Sequence, residues 1–448
     1  MIRSDRSRLL RHALAIILAT TMIHAIGAQD ARAQAGHPLQ DRFLLGVGTH
    51  QGLGGAVGKR GYVPATNIKQ MQELGVTSFR DDLSWSDFEL PNRRLGFAAP
   101  LSRLEAQINA RTARPILILG AGHHLVPNSL PPTTDEARQR FVDYAIAAAR
   151  SVGGPPPLFE LWNEWNIATR SNPAFNAENY LALAAVTYPA VKRTAPNAPF
   201  VVGAIGDDPG WRWTESLLQG GLLKYADGIS VHLYNHCDRP ARRSAAEVIE
   251  RLNAFHRLVT RASGRPDFPV YVTETGWPTP TGKCGVNAQA QADNIAQLIL
   301  WAPTASSWLK GIWLYELKDS GTNPSEIEDN FGLYRFDNTP KPAVCAVRDS
   351  WAFVRSSLKA EMMKVSNDVT AIKSATAKGQ RLAVWSNDPT KRYEIRLKGD
   401  APTASFEYPC DPSPKPAAGA WMTVSSTPLL VKADEAGIPE FDVRQRDH

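Results

Sequence analysis

Cysteine is scarce in this sequence. The four residues, Cys237, Cys284, Cys345 and Cys410, include no C-x-x-C pair, which removes zinc ribbons and thioredoxin-type redox centres from consideration. Long apolar runs are missing as well. Beyond the first 33 residues, no segment approaches the ~20 apolar residues that a membrane-spanning helix needs. Nor is one sign of charge in large excess. Lys and Arg number 50 against 44 Asp and Glu. Five of the basic and two of the acidic residues fall within 1–33, leaving 45 against 42. That balance, with no basic run, gives no hold for nucleic acid and no preference for an acidic substrate. A dinucleotide-binding loop is absent too. Gly46, Gly48, Gly52, Gly54 and Gly55 cluster early but do not form G-x-G-x-x-G opening a helix, and they read as loop glycines.

The first feature present is an export signal. Arg3, Arg6, Arg8 and Arg11 precede an apolar run, Ala13 to Ile26, broken by Thr20, Thr21 and His24 and too short to cross a bilayer. Ala31-Arg32-Ala33 is an A-x-A cleavage site, so residues 1–33 are expected to be removed and the mature chain to begin at Gln34. A periplasmic or secreted protein without stable membrane insertion follows, and in that compartment an even number of cysteines implies two disulfides.

Eight β-type runs then recur, mostly some 30–45 residues apart. They begin near Phe43, Val76, Pro115, Leu158, Phe200, Gly228, Pro269 and Gly311. They are continuously apolar, as parallel strands buried on both faces are. Helical periodicity fills the gaps: Phe141, Ala145, Ala148 and Ala149 within 136–150, and Val248, Leu252, Phe255 and Val259 within 245–261. Eight βα units in series predict a (β/α)8 barrel over residues 34–358. From 359 to 448 the pattern changes to short β-type pieces separated by turn clusters such as KGQ, NDPTK and CDPSPKPAAG, which predicts a small β-sandwich.

A barrel carries its chemistry at the C-terminal ends of its strands. Here those ends hold His50, Arg80-Asp81-Asp82 with Trp85, His123-His124, Asn163-Glu164-Trp165-Asn166, His232-Leu233-Tyr234, Glu274-Thr275-Gly276-Trp277 and Trp313-Leu314-Tyr315-Glu316. Aromatic faces, carboxylates and hydrogen-bonding groups on one rim suit a sugar, with two carboxylates supplying acid/base and nucleophilic work.

FRDDLSWSDFE (79–89), ELWNEWN (160–166), VHLY (231–234), VTETGW (272–277) and NFGLYRFDNTPKPA (330–343) stand in order along the chain. Through them it resembles the retaining (β/α)8 glycosidases of clan A, and more narrowly glycoside hydrolase family 39, especially the bacterial branch that cuts biofilm exopolysaccharides. The resemblance implies that Glu164 is the acid/base and Glu274 the nucleophile. It implies a raised pKa for Glu164, with Arg80 and Tyr234 keeping Glu274 ionised, and Asn163 on the sugar 2-hydroxyl. His232, Trp277 and Trp313 are expected at substrate. Trp85 is a further candidate that packing would explain equally well, His124 either faces substrate or supports a residue that does, and Glu316 reads as a third carboxylate of the site or as a solvated loop residue.

The barrel reading also selects a disulfide pairing. Cys237 and Cys284 follow adjacent strands and share a rim, whereas Cys345 begins the last helix, next to the β-domain that holds Cys410. No metal or cofactor is expected, and the protein is expected to be a monomer acting on a polysaccharide or oligosaccharide. The number of strand-end aromatics favours a long groove and endo cleavage. The alternatives are an exo-acting β-xylosidase-like enzyme, a non-catalytic carbohydrate-binding barrel, and a metal-dependent hydrolase using His50, His123, His124, His232, His236 and Asp319.

Overall fold

The computed structural model describes residues 37–446, apart from 53–59, 90–94, 96–97, 110–112, 121–130, 154–155, 169–171, 399–403, 418, 434–436 and 439. The export signal and its cleavage site lie outside the described residues, as do His123 and His124.

Eight parallel strands close into a barrel in sequence order. They are β1 (Leu44–Gly48), β2 (Ser78–Ser84), β3 (Arg114–Gly120), β4 (Leu158–Leu161), β5 (Phe200–Ile205), β6 (Gly228–Leu233), β7 (Val270–Thr275) and β8 (Leu309–Leu314), with β1 pairing β8 to close the ring. Every residue of β4, β5, β6 and β7 is buried, which is why these runs show no polar alternation. One long helix follows each strand: α1 (Pro64–Leu74), α2 (Ala98–Asn109), α3 (Asp135–Ser151), α4 (Ala177–Thr194), α5 (Arg212–Gln219), α6 (Ala245–Ser263), α7 (Ala288–Trp301) and α8 (Pro342–Val354). Local chemistry sets their ends. Thr134, Asn176, Ser244 and Asn287 cap α3, α4, α6 and α7 by accepting a backbone N–H three residues on. Gly75 and Gly264 close α1 and α6 in the left-handed conformation.

The barrel floor corrects one expectation. Gly46 and Gly48 lie inside β1 rather than in a loop, and a Cβ on Gly46 would collide with the Trp313 indole. The missing side chain lets Trp313 lie across the interior against Ile116, Leu158, Val201 and Tyr271, with its Nε1 donating to Ser78 Oγ at 3.0 Å.

Beyond the barrel stand two antiparallel sheets. One has six strands, β9 (Lys359–Lys364), β10 (Val369–Thr376), β11 (Gly379–Ser386), β13 (Ser405–Tyr408), β14 (Asp411–Pro416) and β16 (Leu429–Ala433), in the order β14-β13-β16-β11-β10-β9. The other has three, β12 (Tyr393–Leu397), β15 (Met422–Val424) and β17 (Phe441–Gln445), in the order β15-β12-β17. Val384 and Leu429 from the first sheet and Ile395 and Val424 from the second belong to one apolar cluster. The stretch CDPSPKP, read above as a turn, supplies β14; its prolines are tolerated because β14 is an edge strand. Cys345 pairs with Cys410 and Cys237 with Cys284, at Cα separations of 5.1 and 4.4 Å.

Candidate active site

β2 delivers Arg80 into the barrel mouth, where it is 5% exposed. Its three nitrogens take three partners: Nε donates to Glu160 Oε2 at 2.6 Å, Nη1 to Glu274 Oε1 at 2.5 Å and Nη2 to Asn163 Oδ1 at 2.7 Å. The Tyr234 hydroxyl donates to the other oxygen of Glu274 at 2.7 Å. Burial, and then the charge of Glu274, hold the Tyr234 phenol well above its ordinary pKa, so it remains a donor.

His232 stands between the carboxylates. Its Nδ1 lies 2.9 Å from Glu164 Oε1 and 3.5 Å from Glu274 Oε2. Its Nε2 is 3.5 Å from Arg80 Nη2. A guanidinium only donates, so in the neutral ring Nε2 turns its lone pair to Arg80 and Nδ1–H is directed at Glu164. The facing atoms of Glu164, His232 and Glu274 all lie within 4.8 Å of one another. Geometrically the three could surround a cation, but Glu274 already bonds to Arg80 and Tyr234, and Glu164 Oε1 to His232.

Backbone strain aims the acid. Trp162 and Glu164 both have left-handed φ values, 64° and 47°. Each costs about 1–3 kcal/mol for a residue with a Cβ. Packing holds the turn: the Trp162 ring meets Trp165 at 5.0 Å, and Trp165 meets Phe175 at 5.1 Å. Gly206, just past β5, leaves the space for Glu164, since a Cβ there would lie 2.8 Å from Glu164 Oε1.

The raised pKa expected for Glu164 is not what the surroundings produce. Burial pushes it up, but the hydrogen bond and charge of His232, helped by Arg80, outweigh burial and leave it below the ordinary glutamate value. For His232, burial pulls down, while Glu274 and Glu164 pull up and prevail. The expectation followed from the role that the resemblance implies for Glu164, and it took no account of an imidazole donor 2.9 Å away.

A second group lies toward β1 and β8. Glu316, fully buried, accepts from Tyr62 Oη at 2.9 Å and Ser320 Oγ at 2.6 Å, with His50 Nε2 at 3.3 Å; it is no solvated loop residue. The Tyr315 ring contacts His50, Tyr234 and Phe331, and its hydroxyl donates to Glu328 at 3.3 Å.

Arg80, Asn163, Glu164, His232, Tyr234 and Glu274 are thus brought together. The tryptophans are not. Trp85, Trp277 and Trp313 are each 0% exposed and offer no face to a ligand. Trp313 fails for a reason of register: it points into the barrel floor, and two residues further on Tyr315 takes the rim position expected of it. Trp85 packs on Phe141 and Tyr144. Sequence reasoning missed Glu160 altogether; a lone carboxylate in the apolar run LFEL was the available signal.

A cleft of about 700 Å³ opens on the Glu164 side, lined by His232, Tyr234, Asp207, Trp211 and His236 among others. A hollow of about 710 Å³ between the loops after β7 and β8 holds the Asp319–Lys341 ion pair and none of these groups. Asp319, named above as a metal-ligand candidate, is therefore committed elsewhere.

Fold and rim define a class: a closed (β/α)8 barrel whose strand ends bring a pair of carboxylates together, with structural neighbours that are glycoside hydrolases. The chain is similar to a family 39 glycoside hydrolase from Bacteroides cellulosilyticus WH2, at 20% identity and TM-score 0.73 over 90% of this chain and 82% of that one. It is also similar to a monomeric β-xylosidase from Caulobacter crescentus CB15, at 15% identity and TM-score 0.59 over 89% and 97%. In sequence, 89 residues match a Hordeum vulgare protein bearing a glucan endo-1,3-beta-glucosidase name at 27% identity, spanning 19% of this chain and 28% of that protein. No protein-family model matches the chain.

Proposed function

We propose that the protein is a retaining β-glycosidase that cuts within a polysaccharide, a bacterial exopolysaccharide or a related polymer, with a catalytic barrel over 34–358 and an accessory β-domain over 359–448. The observation that carries the reading is the unequal treatment of two neighbouring carboxylates. Glu274 is bonded on both oxygens, by Arg80 and Tyr234, and faces Glu164 at a separation suited to direct attack rather than to an intervening water. Glu164 has one oxygen on His232 and a side chain 32% exposed to the cleft.

Glu274 attacks the anomeric carbon while Glu164 protonates the departing oxygen, forming a glycosyl-enzyme. Glu164 then takes a proton from a water whose oxygen attacks the anomeric carbon and displaces Glu274, the second inversion. Because His232 Nδ1–H occupies Oε1, the transferable proton belongs on Oε2. Sugars entering the cleft strip water from Glu164 and raise its proton affinity when the acid is needed. The cleft on the leaving-group side exceeds what one sugar ring fills, which supports endo cleavage. Exo action is the second reading, favoured by the β-xylosidase among the neighbours. Two disulfides suit a periplasmic or secreted site.

Glu164→Ala and Glu274→Ala should each lower kcat by several orders of magnitude without unfolding the chain, and azide should restore turnover in one or both. NMR during turnover should show the β-anomer first. Near-wild-type kcat in either variant, or an α-anomer formed first, defeats the proposal. Product sizing on polysaccharides separates endo from exo.

A further inference from the structure

We infer that Glu160 is a positioning residue that sets the reactivity of the nucleophile by dividing the Arg80 cation between two carboxylates. This rests on the assignment of Glu274 as nucleophile.

The geometry is specific. An arginine binds a carboxylate most tightly through two parallel N–H groups of its fork. Arg80 does not offer Glu274 that arrangement. Its Nε belongs to Glu160 and its Nη2 to Asn163, so Glu274 receives a single N–H from Nη1. Glu160 is 0% exposed, inside the otherwise apolar β4, and its second oxygen has no hydrogen-bond partner among the described residues. Such a buried charge is a poor stabiliser: an apolar side chain of similar size commonly serves a core as well or better. Its position is explained by what it does to Arg80. It fixes the roll of the guanidinium about Cδ–Nε and places a second negative charge on the far edge of the cation that Glu274 shares.

The other groups facing Glu274 leave this lever intact. His232 lies on β6 and Tyr234 just past it, Glu164 lies in the turn after β4, Asp82 on β2, and Tyr315 and Glu328 in the loop after β8. Tyr180 also lies within reach of the Glu160 charge, and its hydroxyl donates to Leu161 O rather than to Glu160. Without the Glu160 charge, Arg80 acts undivided on Glu274. The nucleophile then shares its charge more closely with the cation and attacks more slowly.

The test is Glu160→Gln in the full chain, assayed with 4-nitrophenyl β-D-xyloside and β-D-glucoside from pH 3 to pH 9, with thermal unfolding followed in parallel. The acid limb of kcat/KM should move down by about one pH unit, kcat should fall roughly tenfold, and KM should change less than about twofold. Glu160→Asp, which retains the charge but retracts it, should give an intermediate limb, and it serves alone if the Gln variant does not fold. A lower kcat with an unmoved acid limb in the folded variants overturns the inference and reduces Glu160 to a structural ion pair. The assignment beneath it fails separately, through turnover surviving in Glu274→Ala.

Discussion

Asp82 shows at the scale of one residue what the site costs the fold. Burial, and after it the neighbouring charge of Asp81, push its carboxyl up to about 6. The sign follows from that direction. A carboxyl that binds its proton more tightly when folded favours the folded chain below the unfolded value, and the benefit is lost as pH rises through about 6. Asp82→Asn should therefore raise unfolding free energy by about 2 kcal/mol at pH 8 and by much less at pH 4, as urea titrations at the two pH values will report. A gain independent of pH would contradict this account. The same scale shows how much of the site was readable. Glu164, Glu274, Arg80 and Tyr234 were legible because polar residues ending apolar strands have one place to go, the mouth. Trp313 misled because residues 313 and 315 share one face of β8 but lie at different depths, and nothing in the amino-acid order signals that Gly46 hollows the floor to receive the Trp313 ring. The fall in Glu164 proton affinity was hidden because it depends on a distance across the mouth between residues 68 apart in sequence.

Among elements, the loops after β6 and β7 are the joint on which the mouth depends. Cys237–Cys284 ties them, Gly285 N donates to His236 O at 2.8 Å, and the Arg243 guanidinium bonds Gly285 O at 2.8 Å. Those hydrogen bonds partly support the loops once the covalent tie is gone. Replacing both cysteines by serine should cost about 2–4 kcal/mol of stability, as should the same change at Cys345 and Cys410. The activity loss should differ, with kcat falling roughly tenfold for the first pair, beside Tyr234, and by less than about twofold for the second. Equal kcat losses at equal stability would show that the rim bridge has no special bearing on the mouth. The eight barrel strands were readable as elements because both their faces are buried, which erases alternation and leaves uninterrupted apolar runs. β14 was not, because proline and aspartate mark turns as often as they mark an edge strand.

At the scale of the whole molecule, the β-sheets complete the barrel rather than hang from it. Ile372, Ala383, Trp385 and Leu430 join the barrel's own core cluster. Gln297 on α7 donates to Ser426 O at 2.7 Å, and Asp293 accepts from the hydroxyls of Ser426 and Thr427 at 2.8 Å each. A chain ending at residue 358 should therefore aggregate or melt more than about 10 °C below the full protein by differential scanning calorimetry. An unchanged Tm would make the sheets an independent appendage. The Cys345–Cys410 bridge has a further, mechanical consequence. It spans 65 residues between α8 and the last turn before β14. Tension applied through the two ends of the chain bypasses everything inside that covalent ring, so about 220 Å of contour length stays slack while the bond is intact. Under such tension the load runs from barrel to tail through a single sulfur–sulfur link, and β9 to β13 need not yield before it does.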